Sequence, residues 1–131
     1  MWRTMVVVGM ILGTTLTSVL AVALGVWLHP EWVVKASGQG KAGPVKFNVK
    51  NAGSIPHEFV VFKTDADAAS LTKDANAKVD EAKYSPVGRT KEVAVGTTES
   101  LEATLTAGKY VLVCNIAGHY DLGMRTGFTV N

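Results

Sequence analysis

Two kinds of hydrophobic pattern divide the chain. From Met5 to Leu28 there are 24 consecutive positions without Asp, Glu, Lys, Arg or His, and 17 of them are apolar. About 20 such residues, as helix, cross a bilayer core, so the pattern predicts one N-terminal apolar helix. His29-Pro30-Glu31 ends it, because the residue before a proline avoids the α region. Beyond Pro30 the pattern becomes alternation. Val45, Phe47 and Val49 interleave with Lys46, Asn48 and Lys50, and Leu101, Ala103 and Leu105 interleave with Glu102 and Thr104. Each reads as a half-buried strand. Phe59-Val60-Val61-Phe62 and Tyr110-Val111-Leu112-Val113-Cys114 are short apolar runs, expected as buried strands. Lys91 to Val95 and Phe128 to Val130 complete the set, with Trp32 to Ala36 as a short first strand. Residues 65–83, rich in Ala, Asp and Lys, lack strong periodicity and read as a surface excursion with one or two helical turns. Their charges are expected to form a solvated face. Short strands at roughly ten-residue spacing predict an all-β fold, a small antiparallel sandwich or barrel. The expected division is 1–30 as membrane anchor or signal peptide, 31–43 as linker or short edge strand, and 44–131 as the folded domain.

The apolar segment sets the compartment. Arg3 precedes it, favouring a cytoplasmic N-terminus, and Trp2, Trp27 and Trp32 flank it as an aromatic belt would. The competing reading is a cleaved signal peptide, with Ala21-Val22-Ala23 as the small-x-small site. Both readings place the domain on the exported side of the membrane, periplasmic or extracellular. Whether residues 1–23 are removed stays open at this point.

Composition then narrows the chemistry. One cysteine excludes an internal disulfide, and three histidines exclude a His-rich enzyme with several metal centres. A net charge of +2 is too weak to argue for nucleic acid. A lone cysteine in an oxidising compartment wants a reason. Cys114, His119 and Met124 fall at five-residue intervals, with Gly118 and Gly123 before the second and third. His57 lies far upstream, at the mouth of another strand. One thiolate, two imidazoles and a thioether are a donor set for copper, and a His₂Cys plane with a weak axial Met is an electron-transfer site. The glycines supply the backbone freedom that so tight a loop requires.

These residues resemble a known family. Asn51-Ala-Gly-Ser-Ile-Pro-His-Glu-Phe and Tyr110-Val-Leu-Val-Cys-Asn-Ile-Ala-Gly-His-Tyr-Asp-Leu-Gly-Met are similar to the two ligand loops of the cupredoxins, the blue-copper family of plastocyanin and azurin. The resemblance covers residues 41–130, and the loop spacing is nearer to rusticyanin and sulfocyanin. It implies a Greek-key sandwich and one mononuclear type 1 copper ion held by His57, Cys114, His119 and Met124. It also implies a monomeric carrier of single electrons rather than an enzyme. Redox protein partners, a cytochrome or a membrane oxidoreductase, would dock at the exposed edge of His119, over Ile55, Pro56, Ile116, Ala117 and Leu122. The membrane contact would run through residues 5–28. Val111, Val113 and Phe128 are expected to exclude water from the ion. Glu58 departs from the family, which often has Asn or Ser there to tie the ligand loops together. The first strand also reads as trimmed. His29 is read as interfacial and Tyr120 as packing or a surface hydrogen bond. The alternative functions are a copper chaperone or store, and a zinc-bound or metal-free adhesion-type sandwich.

Overall fold

The computed structural model describes residues 22–29, 33–36 and 40–131. Among the described residues, eight strands and one short helix follow in order: β1 (Val22–His29), β2 (Val33–Ala36), β3 (Gly43–Asn51), β4 (Val60–Lys63), α1 (Glu81–Tyr84), β5 (Gly88–Arg89), β6 (Thr98–Leu105), β7 (Gly108–Val113) and β8 (Arg125–Val130). They form two four-stranded sheets, ordered β2-β1-β3-β6 and β5-β4-β7-β8. The all-β sandwich is the expected one. Every strand pairing is antiparallel except that of β1 with β3, which is parallel.

The alternating strands behave as their pattern dictates. In β3, Val45, Phe47 and Val49 are buried while Lys46 and Asn48 are half-buried and Lys50 is exposed. Opposite them in β6 stand Ala103, Leu101 and Glu99. The inward residues of both sheets make one core, with Phe47 against Phe59 at 5.2 Å and against Phe128 at 5.9 Å between ring centroids. At about 25 cal/mol per Å² of apolar area, such rings are the main stabilising term.

The apolar helix expected over 5–28 is corrected at its C-terminal end, where residues 22–29 are strand β1. Residues 5–21 lie outside the described residues. Leu24, Val26 and Leu28 of β1 are buried in the core, and β1 is an interior strand with β2 on one side and β3 on the other. No charged or polar residue falls between Leu24, Val26 and Leu28, so β1 shows no alternation and hydropathy cannot part it from the apolar run that precedes it. The first strand is thus not trimmed, since β1 and β2 together lead into β3. Among the described residues no helix is long and apolar enough to cross a membrane.

Two further expectations change. Lys91 to Val95 is not a strand. Only Val93 pairs, through a single bridge to His57. The excursion is also more than a solvated face. Leu71 and Val79 are buried with Val60, Phe62, Val111, Val113 and Tyr120 in a second apolar cluster. That cluster covers the outer face of β4 and β7, and both strands are therefore apolar on successive residues. α1 is its one helical turn, capped by the Asp80 side chain, which accepts from the amides of Ala82 and Lys83.

Candidate metal centre

Three loops meet at one end of the sandwich. β3 leaves the first sheet, and residues 52–59 cross to β4 in the second. His57 lies in this crossing, fixed by two backbone bonds with Val93: its N–H donates to Val93 O at 3.2 Å, and its carbonyl accepts from Val93 N at 2.7 Å. Asn51, fully buried at the end of β3, shapes the loop before it. Its Nδ2 donates to Ile55 O (2.8 Å) and Val93 O (2.9 Å), and its Oδ1 accepts from the Gly53 amide (2.9 Å), an Asx turn. A Cβ on Gly53 would stand 3.0 Å from His57 Nε2, so the glycine lets loop and imidazole pack this closely. Just beyond, the Phe59 amide donates to Thr90 Oγ1.

The second and third donors come from the long loop joining β7 to β8. Cys114 follows β7 and Met124 precedes β8, and the Cys114 amide donates to Met124 O at 3.0 Å. Between them the chain turns on itself. His119 N donates to Ile116 O, Gly123 N to Tyr120 O, and Met124 N to His119 O. Gly118 and Gly123, at φ +81° and +112°, take the left-handed conformations expected of them.

His57, Cys114 and His119 are all buried, and one donor atom from each lies within 4.8 Å of the others. Cys114 Sγ is 3.6 Å from His57 Nδ1 and 3.3 Å from His119 Nδ1. The two imidazoles meet edge-on, 5.3 Å apart. Met124 is fully buried in the same cluster as Cys114. Burial, and then the charge of His119, holds the His57 imidazole below its ordinary pKa, and burial does the same to His119. Both are thus held in the neutral form that ligates metal. Burial pushes the Cys114 thiol up, against the amides of Glu58 and Ile116, while the Glu58 carboxylate adds to the rise. Held against a cation, the Cys114 thiol would give up that proton and serve as a thiolate. The Glu58 amide already points at the sulfur, at 3.3 Å.

The donor set therefore fits copper: a soft thiolate and two neutral imidazoles converge in a buried site, and Met124 lies in the same apolar core as Cys114. The wall of the pocket differs from expectation. Val111 and Val113 face the second cluster, on the far side of β7, because alternate residues of a strand face opposite ways. Tyr110, Leu112, Phe59, Val61, Val93 and Phe128 share the core with Cys114 instead. Tyr120 is not at the surface. Its hydroxyl donates to Ala68 O (2.6 Å) and accepts from the Leu71 amide (2.9 Å), pinning the loop to the excursion. Asn51, Thr90 and Asn115 were not singled out from sequence. Asn51 in a Gly-containing turn was the one available signal.

Comparison with known proteins agrees with the geometry. The chain's fold is similar to that of auracyanin A, a "blue" copper protein of the green thermophilic photosynthetic bacterium Chloroflexus aurantiacus (TM-score 0.64, 21% identity, 86% of this chain and 100% of that one). It is similar also to rusticyanin of Thiobacillus ferrooxidans (0.61, 19%, 85% and 77%) and to an azurin of Methylomonas sp. strain J (0.58, 15%, 83% and 97%). No curated protein matches the chain. The model of the sulfocyanin (SoxE) domain matches residues 41–131. With that match over most of the chain, and with a His-Cys-His cluster at the expected end of the sandwich, the chain belongs to the sulfocyanin family, cupredoxins that carry electrons on one type 1 copper ion and are not enzymes.

Proposed function

We propose that this chain is an exported, membrane-tethered carrier of single electrons, with His57, Cys114 and His119 as the residues that would hold copper strongly and Met124 as the weaker fourth ligand. The observation that carries this reading is the convergence of three buried donor atoms within 4.8 Å, one of them the only cysteine. Copper bound there supplies a one-electron couple between Cu(I) and Cu(II). The residues supply a fixed cage. Asn51 and Val93 hold His57, the turns of 114–124 hold the other three, and the two-sheet core excludes water.

His119 is the one ligand with an edge toward solvent, 9% exposed against 1% for His57. Ile55, Pro56, Ala117 and Leu122 lie exposed on the loops that carry the two histidines, and Ile116 is half-buried. A small apolar contact of this kind suits a transient encounter with a redox protein. The tether rests on the uncharged run that precedes β1, with Arg3 before it. A fixed anchor raises the effective concentration of carrier near membrane-bound donors and acceptors. Retention of the full chain in carbonate-washed membranes supports the tether, and release of the intact chain into the wash overturns it.

The copper reading is tested by the optical spectrum of the copper-loaded, oxidised protein beside its Cys114→Ser variant. An intense visible band that the substitution abolishes, and that returns through cycles of reduction and oxidation, is expected. A band that survives the substitution overturns the ligand assignment, and loss of copper on reduction favours a delivery protein.

A further inference from the structure

Glu58 follows the first histidine ligand. It meets Arg89, with Glu58 Oε1 2.8 Å from Arg89 Nη2. Arg89 is the second residue of β5 and pairs with Val60 of β4, so its backbone is fixed beside the His57 loop. Its guanidinium is forked onto a second carboxylate. Nη1 donates to Glu81 Oε2 at 3.3 Å, and Nη2 donates to Glu81 Oε1. Glu81 opens α1, directly after the capping Asp80. The same Glu81 Oε1 accepts from Asn115 Nδ2 at 2.9 Å. Asn115 is the residue after Cys114. It is fully buried, and its Oδ1 accepts from the Val79 amide at 2.7 Å.

A continuous polar chain thus runs from the residue after one ligand, through Arg89 and Glu81, to the residue after another. We propose that Arg89 is a positioning residue for the copper site: its guanidinium, held between Glu58 and Glu81, ties the His57 loop to the Cys114 loop in place of a direct side-chain tie between them. The assignment rests on the copper reading above. Stability is not its use, because the Arg89 side chain is 43% exposed and surface ion pairs of this kind stabilise little. Geometry is. The Glu58 carboxylate is held on Arg89 while the Glu58 amide is held on Cys114 Sγ. At the other end, Asn115 fixes the residue after the cysteine. Only a planar, forked cation can serve two carboxylates in this way, and a lysine is a point charge on a flexible stem.

The test compares Arg89→Met, Arg89→Lys and Glu81→Ala with the natural protein, reading Cu(II) affinity by competition and the visible spectrum. Partners that orient metal ligands typically cost 10–100-fold in affinity when removed, and Arg89→Met is expected to lose about tenfold and to alter the visible band. Arg89→Lys, with the charge kept and the fork gone, is expected to fall with Arg89→Met. Glu81→Ala is expected to act in the same direction and, combined with Arg89→Met, to add little, as links of one chain do. In the copper-free protein, amide exchange at Glu58 and Asn115 is expected to quicken in all three. If Arg89→Lys matches the natural protein, or if Arg89→Met binds Cu(II) more tightly, the residue acts only as a positive charge and the proposal is overturned. Unchanged affinity, spectrum and exchange overturn it as well. A natural protein without the visible band defeats the copper reading instead, and the amide exchange of the copper-free chain then still decides whether Arg89 links the loops. Should Arg89→Met fail to fold, Arg89→Lys and Glu81→Ala carry the same test.

Discussion

The two sides of the metal centre are built differently. His57 belongs to the scaffold. The bonds that fix it run to β3 and to residues 90–97, far away in sequence: His57 to Val93 in both directions, Asn51 to Val93, and Phe59 to Thr90. The 114–124 side is mostly self-contained. Cys114, His119 and Met124 are joined by bonds that begin and end within the loop. What fixes that loop from outside is the excursion between β4 and β5, through Tyr120 on Ala68 and Leu71, Asn115 on Val79, Gly118 N on Ala77 O, and Lys73 on Asp121. One histidine is therefore as stable as the fold, and the other is as stable as a clamped loop. A carrier gains from that division, since the scaffold half preserves geometry while the loop half leaves His119 less deeply buried than His57.

A pair of substitutions separates the halves. Asn51→Ala takes the donor from Ile55 O, one of two donors from Val93 O, and the acceptor from Gly53 N. Each buried group left without a partner costs about 1–3 kcal/mol, and a loss of about 3 kcal/mol of global stability is expected in urea denaturation of the copper-free protein. Tyr120→Phe removes one hydroxyl that serves the Ala68 carbonyl and the Leu71 amide. It should cost about 1–2 kcal/mol, yet quicken copper dissociation, because the His119 loop loses its clamp. If Tyr120→Phe proves the more destabilising of the two, or leaves copper dissociation unchanged, the division between scaffold and clamp is wrong.

The same division explains what was legible in the sequence. Val45, Phe47 and Val49 announce β3 because a one-sided strand must alternate. Cys114, His119 and Met124 announce a copper loop because their chemistry and spacing are local. Neither property extends to the excursion. Leu71 and Val79 are single apolar residues among charges, and nothing periodic marks them as the cover of β4 and β7. Asn51 and Asn115 read as ordinary loop polar residues, since their partners are brought to them only by the folded topology. Arg89 and Glu81 look like surface charges for the same reason. β1 was hidden by the opposite cause. Val22–His29 adjoins an apolar run, and Gly25 and Trp27 stand between Leu24, Val26 and Leu28 where a polar alternation would have set the strand apart.

The smallest expected effect is a pH dependence confined to the clamped half. Burial alone would raise the Glu81 carboxyl, but the bond from Asn115, the bond and charge of Arg89 and the charge of Lys78 outweigh it and hold the group below its ordinary value. A carboxyl depressed in the folded state gives stability that is fully present above the unfolded value, about 4.3. That stability is lost as pH falls through the folded value, because the unfolded chain takes up the proton first. In the copper-free protein, the natural chain should thus exceed Glu81→Gln in urea midpoint at pH 7, and the gap should close as pH falls below about 4.3. His57 and His119, held neutral by burial, also lose their contribution on acidification, but they do so in both proteins and cancel in the difference. The Asn115 side-chain amide should shift in NMR over the closing range, since it donates to Glu81. The Asn51 amide should not, since it donates only to carbonyl oxygens. A gap that widens in acid, or an Asn51 amide that titrates with Asn115, would show that the two halves share one electrostatic environment and would erase the distinction between them.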